Sequence, residues 1–277
     1  MIVDAQVHLW APETPERPWI AGGSGRPHLP EPLTYAKMLG LMNETGVDRV
    51  IIVPPSWASD GNEHALEAAA RFPDRFAVMG RIPVDRPDSR KLLPSWKDRT
   101  GMLGIRLPFN HERRSWILDG TVDWFWAAAE EADVPVMLFA PDAPECFARI
   151  AAAYPGLRLI VDHMGLATYG PEHKRIRERL DVIVPLARFP KVAVKLSAIP
   201  DFSSEPYPFR DMTVHLRRLV DAFGPRRCFW GTDLSHSRGR IVYREYVKHF
   251  AEEVDFLSDE DRRQIMGDSI LRFLGWE

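Results

Sequence analysis

The amino-acid sequence predicts an α/β protein, and within that class a single (β/α)8 barrel of the TIM type over residues 1–277, from two observations. Eight short apolar runs lack strict alternation with polar residues, which is typical of parallel strands buried on both faces. Amphipathic stretches separate most of these runs, and such alternation of strands and helices indicates a barrel. Because barrels of about 200 to 250 residues commonly form one domain, the chain length agrees with this prediction.

The predicted strands are rich in Val, Ile, Leu, Met or Phe. They cover residues 2–8, 49–53, 76–82, 103–107, 135–140, 157–163, 192–197 and 228–233. Helical patterns cover residues 34–45, 62–71, 122–132, 144–153, 173–186, 211–223, 241–254 and 259–274. Gly46 ends the first helix, and Gly224 with Pro225 ends the sixth. Ser258, with Asp261 three residues later, predicts an N-terminal cap for the last helix.

An open doubly wound sheet is the competing architecture, since it also alternates strands with helices. It requires a glycine-rich phosphate loop directly after a strand, and no predicted strand is followed by one. Ser24 and Gly25 lie in a Gly-Gly-Ser-Gly run that is flanked by prolines instead. Residues 11–32 are therefore interpreted as a long loop after the first strand. In a barrel, this loop would lie over the active-site face and cover the substrate.

Composition and charge narrow the classes of partner. The formal net charge is −3, and the 36 basic residues are spread along the chain. This distribution offers no electrostatic footprint for nucleic acid or for a membrane surface. We therefore expect a small-molecule substrate, with carboxylates among the candidates.

The N-terminal residues, the lengths of the apolar runs and the two cysteines indicate the cellular compartment of the protein. The N-terminus has no secretory-signal pattern, and no apolar run approaches the roughly 18 residues of a membrane span. Cys146 and Cys228 fit neither a disulfide framework nor a zinc ribbon, so both are expected to be free, buried thiols. A soluble cytoplasmic protein is the expectation.

Polar side chains stand where several predicted strands end. Because the C-terminal ends of barrel strands form the active-site face, these side chains are candidate site residues. Alternate residues share one face of a strand, so Asp4, Gln6 and His8 are expected on one face, with Gln6 and His8 pointing together into the barrel mouth. His163 ends strand six and Asp233 ends strand eight. Packing alone does not explain such residues, and we expect them to carry the chemistry.

Four further residues are candidate substrate contacts, each with a structural alternative. Arg106, on strand four, would clamp a substrate carboxylate or form a core ion pair. Lys195, on strand seven, is either a charge partner or a site residue. His236 is either a substrate contact or a loop histidine. Trp57, after strand two, would form an apolar wall of the pocket or pack within its loop.

Other ionisable residues are expected to take no part in the chemistry. Asp162, beside His163, is expected to form a structural ion pair outside the barrel. The remaining histidines are expected at surface or structural positions: His28, His64, His111, His173, His215 and His249.

Four short motifs, in order along almost the whole chain, resemble the amidohydrolase superfamily. The opening MIVDAQVHLW is similar to the family's first strand, where Asp-x-His-x-His usually follows an apolar run. VDHMG resembles the later strand-end histidine, and FWGTD resembles the strand-eight aspartate. With AVKLS, these motifs resemble the amidohydrolase-2 branch, which includes sugar lactonases, pyrone-dicarboxylate lactonase and metal-dependent aromatic-acid decarboxylases. The resemblance implies an enzyme, and a homo-oligomer is consistent with it.

The resemblance also implies roles for individual residues. His8 matches the second histidine of the first motif, His163 the later histidine, and Asp233 the catalytic aspartate. Gln6 stands where the family usually has histidine, and an amide is a poor zinc ligand beside imidazole. Two alternatives remain for this site. In the first, one divalent metal (zinc or manganese) is held by His8, His163 and Asp233 with help from Gln6. In the second, the site is metal-free.

Hydrolysis of a small cyclic or activated carbonyl compound, a lactone above all, is the leading hypothesis for the reaction. Asp233 would take a proton from the attacking water and return it to the leaving group. A metal, or else His8, His163 and Lys195, would stabilise the oxyanion. The alternatives are metal-dependent decarboxylation of an aromatic carboxylic acid and a non-catalytic metabolite-binding barrel, which the missing first histidine motivates.

Overall fold

The computed structural model describes residues 1–16, 18–19, 27–29, 31–57, 61–110, 113–167, 175–236 and 241–276. Eight strands in this part of the chain form one sheet in sequence order, and every hydrogen-bonded pair is parallel. The strands are β1 (Val3–Val7), β2 (Arg49–Ile52), β3 (Phe76–Gly80), β4 (Met102–Pro108), β5 (Val136–Phe139), β6 (Leu159–Val161), β7 (Val192–Leu196) and β8 (Cys228–Trp230). Each overlaps a predicted run, and the predicted barrel architecture is confirmed.

Helices follow most of the strands. They are α1 (Tyr35–Thr45), α2 (Glu63–Arg71), α3 (Arg114–Leu118), α4 (Asp123–Glu131), α5 (Glu145–Ala153), α6 (Ile176–Ile183), α7 (Ile199–Phe202), α8 (Thr213–Phe223), α9 (Tyr243–Lys248), α10 (Asp259–Arg263) and α11 (Ser269–Leu274). The cap at Ser258 is confirmed, because its hydroxyl accepts from the Asp261 backbone N–H. Gly46 ends α1 in the left-handed conformation at a φ of 75°, as predicted.

Some helices differ from the predicted ones. Two 3-10 helices, Pro87–Leu92 and Trp96–Asp98, connect β3 to β4. Helix α6 passes into a 3-10 segment at Val184, because Pro185 has no N–H for an α-helical bond. The last two predicted helices each contain a π-helical segment, His249–Glu253 and Gln264–Asp268. The predicted start at residue 173 lies outside the described residues, as do Ser24, Gly25, His111 and His173.

The interior of the barrel is filled by a separate apolar cluster that draws on alternate strand residues. Its members on the strands or directly after them are Val3, Ala5, Ile51, Val53, Ala77, Met79, Met137, Ile160, Ala193 and Phe229. Ile270, Leu274 and Trp276, near the C-terminus, belong to the same cluster. Arg49, at the N-terminal end of β2, donates to the Trp276 carbonyl at 3.0 Å. The C-terminal segment therefore closes the N-terminal end of the barrel, and the opposite end stays available for a site.

The seam between β8 and β1 is held by side chains as well as by backbone. Asp233 N donates to the Gln6 carbonyl at 2.9 Å, and Thr232 N donates to Asp4 Oδ1 at 2.9 Å. Gly231 permits this approach, since a Cβ there would stand 3.1 Å from Gln6 N. The seam thus brings the end of β8 directly beside Gln6.

One prediction for the first strand is wrong: Asp4 does not share a face with Gln6 and His8. The register of β1 against β2 shifts by one residue between Asp4 and Val7, as in a β-bulge. The Asp4 carboxylate accepts hydrogen bonds from Thr232 and from the Tyr243 hydroxyl. The bulge reverses the alternation, so Asp4 points outward while Gln6 points into the barrel.

Two further observations bear on the remaining sequence predictions. Cys146 and Cys228 are buried free thiols, as predicted. Over the described residues, every helix is too short or too polar to cross a bilayer.

Candidate active site

Three strand ends of the barrel mouth contain residues in the left-handed backbone conformation. The φ angles are 49° at His163 and 58° at Met164 after β6, 59° at Ala198 after β7, and 57° at Asp233 after β8. This conformation costs free energy in residues other than glycine, and such residues concentrate at functional sites. The sharp turns carry the side chains of His163 and Asp233 over the barrel mouth, and both residues are almost completely buried.

His8 presents one defined ring nitrogen to the site. Its Nδ1 donates to the Val53 carbonyl at 2.7 Å, so the neutral ring carries its proton there. The unprotonated Nε2 stands 3.2 Å from Asp233 Oδ1 and also 3.2 Å from the Gln6 amide nitrogen, which donates to it. A lone pair and a carboxylate therefore face each other, an arrangement that a proton or a cation between them stabilises.

Lys195 lies beneath this group and is fully buried. Its ammonium donates to Gln6 Oε1 at 2.6 Å and stands 2.7 Å from Asp162 Oδ1. Gln6 is thereby oriented with its oxygen towards Lys195 and its NH2 towards His8. The structure thus places Lys195 as a charge partner under the site, and it directs the Gln6 oxygen away from the His8 ring.

Asp162 forms the predicted ion pair, but the expectation that it pairs outside the barrel is wrong. Its Oδ2 accepts from Arg106 Nε at 3.0 Å, and its Oδ1 meets Lys195, whose ammonium also contacts interior Met137. Because β6 ends at Val161, the next residue points inward with the alternation of the strand. Asp162 therefore joins Arg106 to Lys195 within the barrel.

His163 lies on the other side of Asp233. Its Nδ1 forms a hydrogen bond with Ser197 Oγ at 2.8 Å, and its Nε2 stands 3.9 Å from Asp233 Oδ2. The Phe139 ring packs edge-on against the imidazole with centroids 5.3 Å apart. The two oxygens of Asp233 therefore face different histidines.

His236 and Trp57 complete the wall beside His8. His236 Nδ1 stands 3.3 Å from Asp233 Oδ1. The Trp57 ring makes edge contacts with His8 and with His236, each at a centroid distance of 5.4 Å. Where the loop after β1 is described, it reaches this wall: His28 N donates to the Ser235 carbonyl, and its ring contacts His236 at 5.6 Å.

The electrostatics of the mouth favour the neutral form of His8 and of His163 and the ionised form of Asp233. Burial lowers the pKa of His8 and lowers that of His163 to about 4. Burial alone would raise the pKa of Asp233, but interactions with His236, His8 and His163 hold it well below its usual value. Asp233 is thus an ionised carboxylate beside the neutral imidazoles of His8 and His163, able to accept a proton.

A group of metal-ligand type is present among the described residues. Ligand atoms of His8, Asp233 and His236 all lie within 4.8 Å of one another. Two imidazoles and a carboxylate are a ligand set found at catalytic zinc sites, and His8 donates its other ring N–H to a carbonyl as metal-bound histidines do. These residues fit one divalent cation. The resemblance implies His163 as the second histidine ligand, whereas this trio contains His236.

Sequence reasoning missed two residues near the mouth. His28 was expected at a surface or structural position, and although exposed it contacts His236. Arg81 follows β3 directly and is buried, 5% exposed. The sequence does contain a signal for Arg81, because a charged residue at the end of an apolar strand is the criterion that identifies Arg106.

Comparisons with known proteins bear on the family of this chain. A family model described as amidohydrolase matches residues 3–276. The 4-sulfomuconolactone hydrolase of Hydrogenophaga intermedia is 28% identical over 287 residues, covering 98% of this chain and 88% of its own length.

Two solved structures share the fold along their whole length. An amidohydrolase from Burkholderia multivorans with bound zinc matches with a TM-score of 0.81 at 21% identity, covering 99% of both chains. A probable 2-pyrone-4,6-dicarboxylic acid hydrolase from Acinetobacter baumannii, with citric acid bound, matches with a TM-score of 0.78 at 17% identity, again over 99% of both chains. Since the family model spans nearly every residue and the barrel fold agrees, this chain belongs to the amidohydrolase family.

Proposed function

We propose that this enzyme hydrolyses a lactone, with Asp233 as the general base. The observation that carries the proposal is the position of Asp233, a buried and ionised carboxylate whose two oxygens face His8 and His163 at 3.2 and 3.9 Å. The 4-sulfomuconolactone hydrolase relative and the pyrone-dicarboxylic acid hydrolase neighbour support the choice of a lactone.

The reaction consumes one water, and one proton of that water passes through Asp233 to the leaving ring oxygen. Asp233 accepts a proton from the water as the water oxygen bonds to the lactone carbonyl carbon, forming a tetrahedral oxyanion. The ring C–O bond then breaks, and Asp233 returns the proton to the leaving ring oxygen. The products are a carboxylate and a hydroxyl on one open chain, with one proton released at neutral pH.

His163 is proposed to stabilise the oxyanion. If the Ser197 hydroxyl donates to Nδ1, the ring proton lies on Nε2, which faces the space beside Asp233. A preorganised N–H donor in a site without bulk water favours developing negative charge. Trp57 supplies an apolar wall, and Arg106 supplies a cation for a substrate carboxylate.

His8, Asp233 and His236 would hold a divalent metal, with zinc or manganese as the candidates. When bound, such an ion lowers the pKa of water and polarises a carbonyl. The zinc-bound barrel of Burkholderia multivorans supports a metal at this site.

The Asp233→Asn variant tests the proposal. We expect kcat on a responsive lactone to fall by about 10²- to 10⁴-fold, because the amide accepts no proton from water. A pH-indicator assay over a lactone panel measures the acid released. Asp88→Asn, the same change at an exposed carboxylate, should retain full activity.

Measurements of carbon dioxide release and of ligand binding, beside the acid-release assay, separate the alternatives. Carbon dioxide release from aromatic acids, without acid release from any lactone, would replace hydrolysis by decarboxylation. Tight binding of a metabolite with no turnover across both panels would favour the non-catalytic barrel. Near-normal turnover by a folded Asp233→Asn enzyme would remove Asp233 from the mechanism.

A further inference from the structure

The wall of the barrel mouth beside His8 contains a buried polar atom that the proposed reaction leaves unused. Trp57 is 2% exposed, and within the described part of the chain its indole Nε1 has no hydrogen-bond partner. A buried N–H group without an acceptor is costly, because it loses its bond to water and gains none in return. Such a group in a folded protein needs a functional or structural explanation.

Other tryptophans show how an indole N–H is used elsewhere in this fold. Trp96 Nε1 donates to the Gly104 carbonyl at 2.9 Å, and Trp124 Nε1 donates to a backbone carbonyl at 3.0 Å. Trp126 has an unpaired N–H like that of Trp57, but its ring packs against two phenylalanine rings. Of these four tryptophans, only Trp57 places an unpaired N–H beside candidate catalytic side chains.

Neighbouring rings hold the Trp57 indole in one position. It makes edge contacts with His8 and His236 at 5.4 Å and with Trp10 at 5.8 Å, measured between ring centroids. His8 and His236 also contact each other edge-on at 5.4 Å, so these two rings and the indole form a closed set of contacts. The indole cannot turn away without breaking this set. Its N–H is therefore preorganised, a property that makes a donor effective in catalysis.

The position of Trp57 relative to Asp233 indicates which substrate oxygen lies near it. Asp233 Oδ2 faces His163, the proposed oxyanion donor, at 3.9 Å. Asp233 Oδ1 faces His8 and His236 at 3.2 and 3.3 Å, and both of these rings contact Trp57. In the proposed reaction the carbonyl oxygen occupies the His163 side, while the ring oxygen also needs to reach Asp233 to receive its proton. The ring oxygen therefore falls on the Trp57 side.

We propose that Trp57 is a catalytic residue whose indole N–H donates a hydrogen bond to the ring oxygen of the lactone as the ring opens. This inference rests on the proposed lactone hydrolysis and adds a residue to it. When the C–O bond breaks, its electron pair moves to the ring oxygen, which takes its proton from Asp233, while the indole keeps its own. Because the ring oxygen gains negative charge during this step, the hydrogen bond is stronger in the transition state than in the bound substrate.

Trp57→Phe tests the inference, because it keeps an aromatic wall and removes the N–H. On an alkyl lactone, whose leaving alkoxide is strongly basic, we expect kcat to fall about tenfold with KM nearly unchanged. On an aryl lactone, whose leaving phenoxide needs less stabilisation, the loss of kcat should stay below about threefold. Trp126→Phe removes another unpaired buried N–H and should keep the wild-type ratio of the two rates.

Two results would overturn the role of Trp57 while leaving lactone hydrolysis standing. Equal losses of kcat on the alkyl and aryl lactones would mean that the indole acts through packing. A rise in KM without a fall in kcat would mean that it binds the substrate and not the transition state. Melting temperatures of both variants show whether they are folded at the assay temperature.

A measurement without turnover separates this inference from lactone hydrolysis itself. Ring opening turns the ring oxygen into the hydroxyl of an open-chain hydroxy acid, so δ-hydroxyvalerate and valerate form a pair of probes with and without that oxygen. In NMR spectra of isotope-labelled protein, the chain's nine tryptophans give nine indole N–H signals, and Trp57→Phe identifies one of them. We expect δ-hydroxyvalerate to shift the Trp57 signal downfield and valerate to leave it in place.

The outcomes of this titration are distinct from those of the kinetic test. If no lactone is hydrolysed but the hydroxyl-dependent shift appears, lactone hydrolysis fails and the Trp57 hydrogen bond stands. If the two acids affect the Trp57 signal equally, or not at all, the hydrogen bond fails. If Trp57→Phe does not fold, the wild-type spectra decide, since the absence of any indole signal that responds to the hydroxyl overturns the inference.

Discussion

At the scale of single residues, the hydrogen bond from His8 Nδ1 to Val53 determines which nitrogen serves the site. It leaves Nε2 unprotonated and directed at Asp233. Gln6 has a different part, because its oxygen accepts from Lys195 and only its NH2 reaches His8. We therefore propose that Gln6, which stands in place of the usual histidine, orients His8 and is not a metal ligand.

Metal affinity should distinguish Gln6 from His236, a member of the proposed ligand trio. We expect wild type to bind one equivalent of zinc or manganese, and His236→Ala to weaken binding by about 100-fold or more because it removes a ligand. Gln6→Met should retain the affinity within a few-fold. Elemental analysis and chelator competition measure both, with melting temperatures as the check on folding. Equal loss in the two variants would make Gln6 a ligand, and wild type without metal under saturating conditions would make the site metal-free.

At the scale of elements, the seam between β8 and β1 depends on Asp4. Its carboxylate accepts from Thr232 N, Thr232 Oγ1, Gln6 N and the Tyr243 hydroxyl. Burial nevertheless raises the pKa of Asp4 from 3.8 to about 6, against the opposing effect of the hydrogen bonds from Thr232. The closure of the barrel is therefore coupled to pH.

The sign of this coupling follows from the raised pKa. Between pH 4 and 6 the folded state holds the Asp4 proton more tightly than the unfolded state, so stability is highest at the acid end and is lost as pH rises towards 6. Relative to Asp4→Asn, the wild-type free energy of unfolding should fall by up to about 3 kcal/mol over this window, at about 1.4 kcal/mol per pKa unit.

Urea unfolding at several pH values measures this difference. Asp98→Asn, at an exposed carboxylate, should leave the pH profile of wild type unchanged. Parallel profiles for wild type and Asp4→Asn would show that Asp4 does not titrate in this window.

At the scale of the whole molecule, the two ends of the barrel have different tasks. The mouth carries the strained turns, the histidines and the arginines. The other end is closed by the C-terminal segment, where Arg49 stacks on the Trp276 ring at 4.9 Å and donates to its carbonyl. Barrels of this class separate activity from stability in the same way.

Trp276→Ala tests this division of tasks. The variant should lose about 3 kcal/mol of unfolding free energy, because a large buried ring and its cation–π contact are removed. Turnover per folded molecule should stay at the wild-type value, since the ring lies at the far end from Asp233. Denaturant unfolding and kcat on the responsive lactone check the two statements. A matching loss of kcat at a temperature where the variant is folded would contradict the separation.

The sequence by itself determined the barrel and the four residues Gln6, His8, His163 and Asp233 as its candidate site. This was possible because doubly buried strands read as apolar runs and because polar residues at their ends stand out against them. Only the tertiary structure decided that Asp4 turns outward, since one inserted residue in β1 reverses the alternation without any signal in composition. It also decided the Gln6–Lys195 and Arg106–Asp162 contacts, which join residues 189 and 56 positions apart. Such pairings depend on how strands are arranged around the barrel, and no local pattern in the chain encodes them.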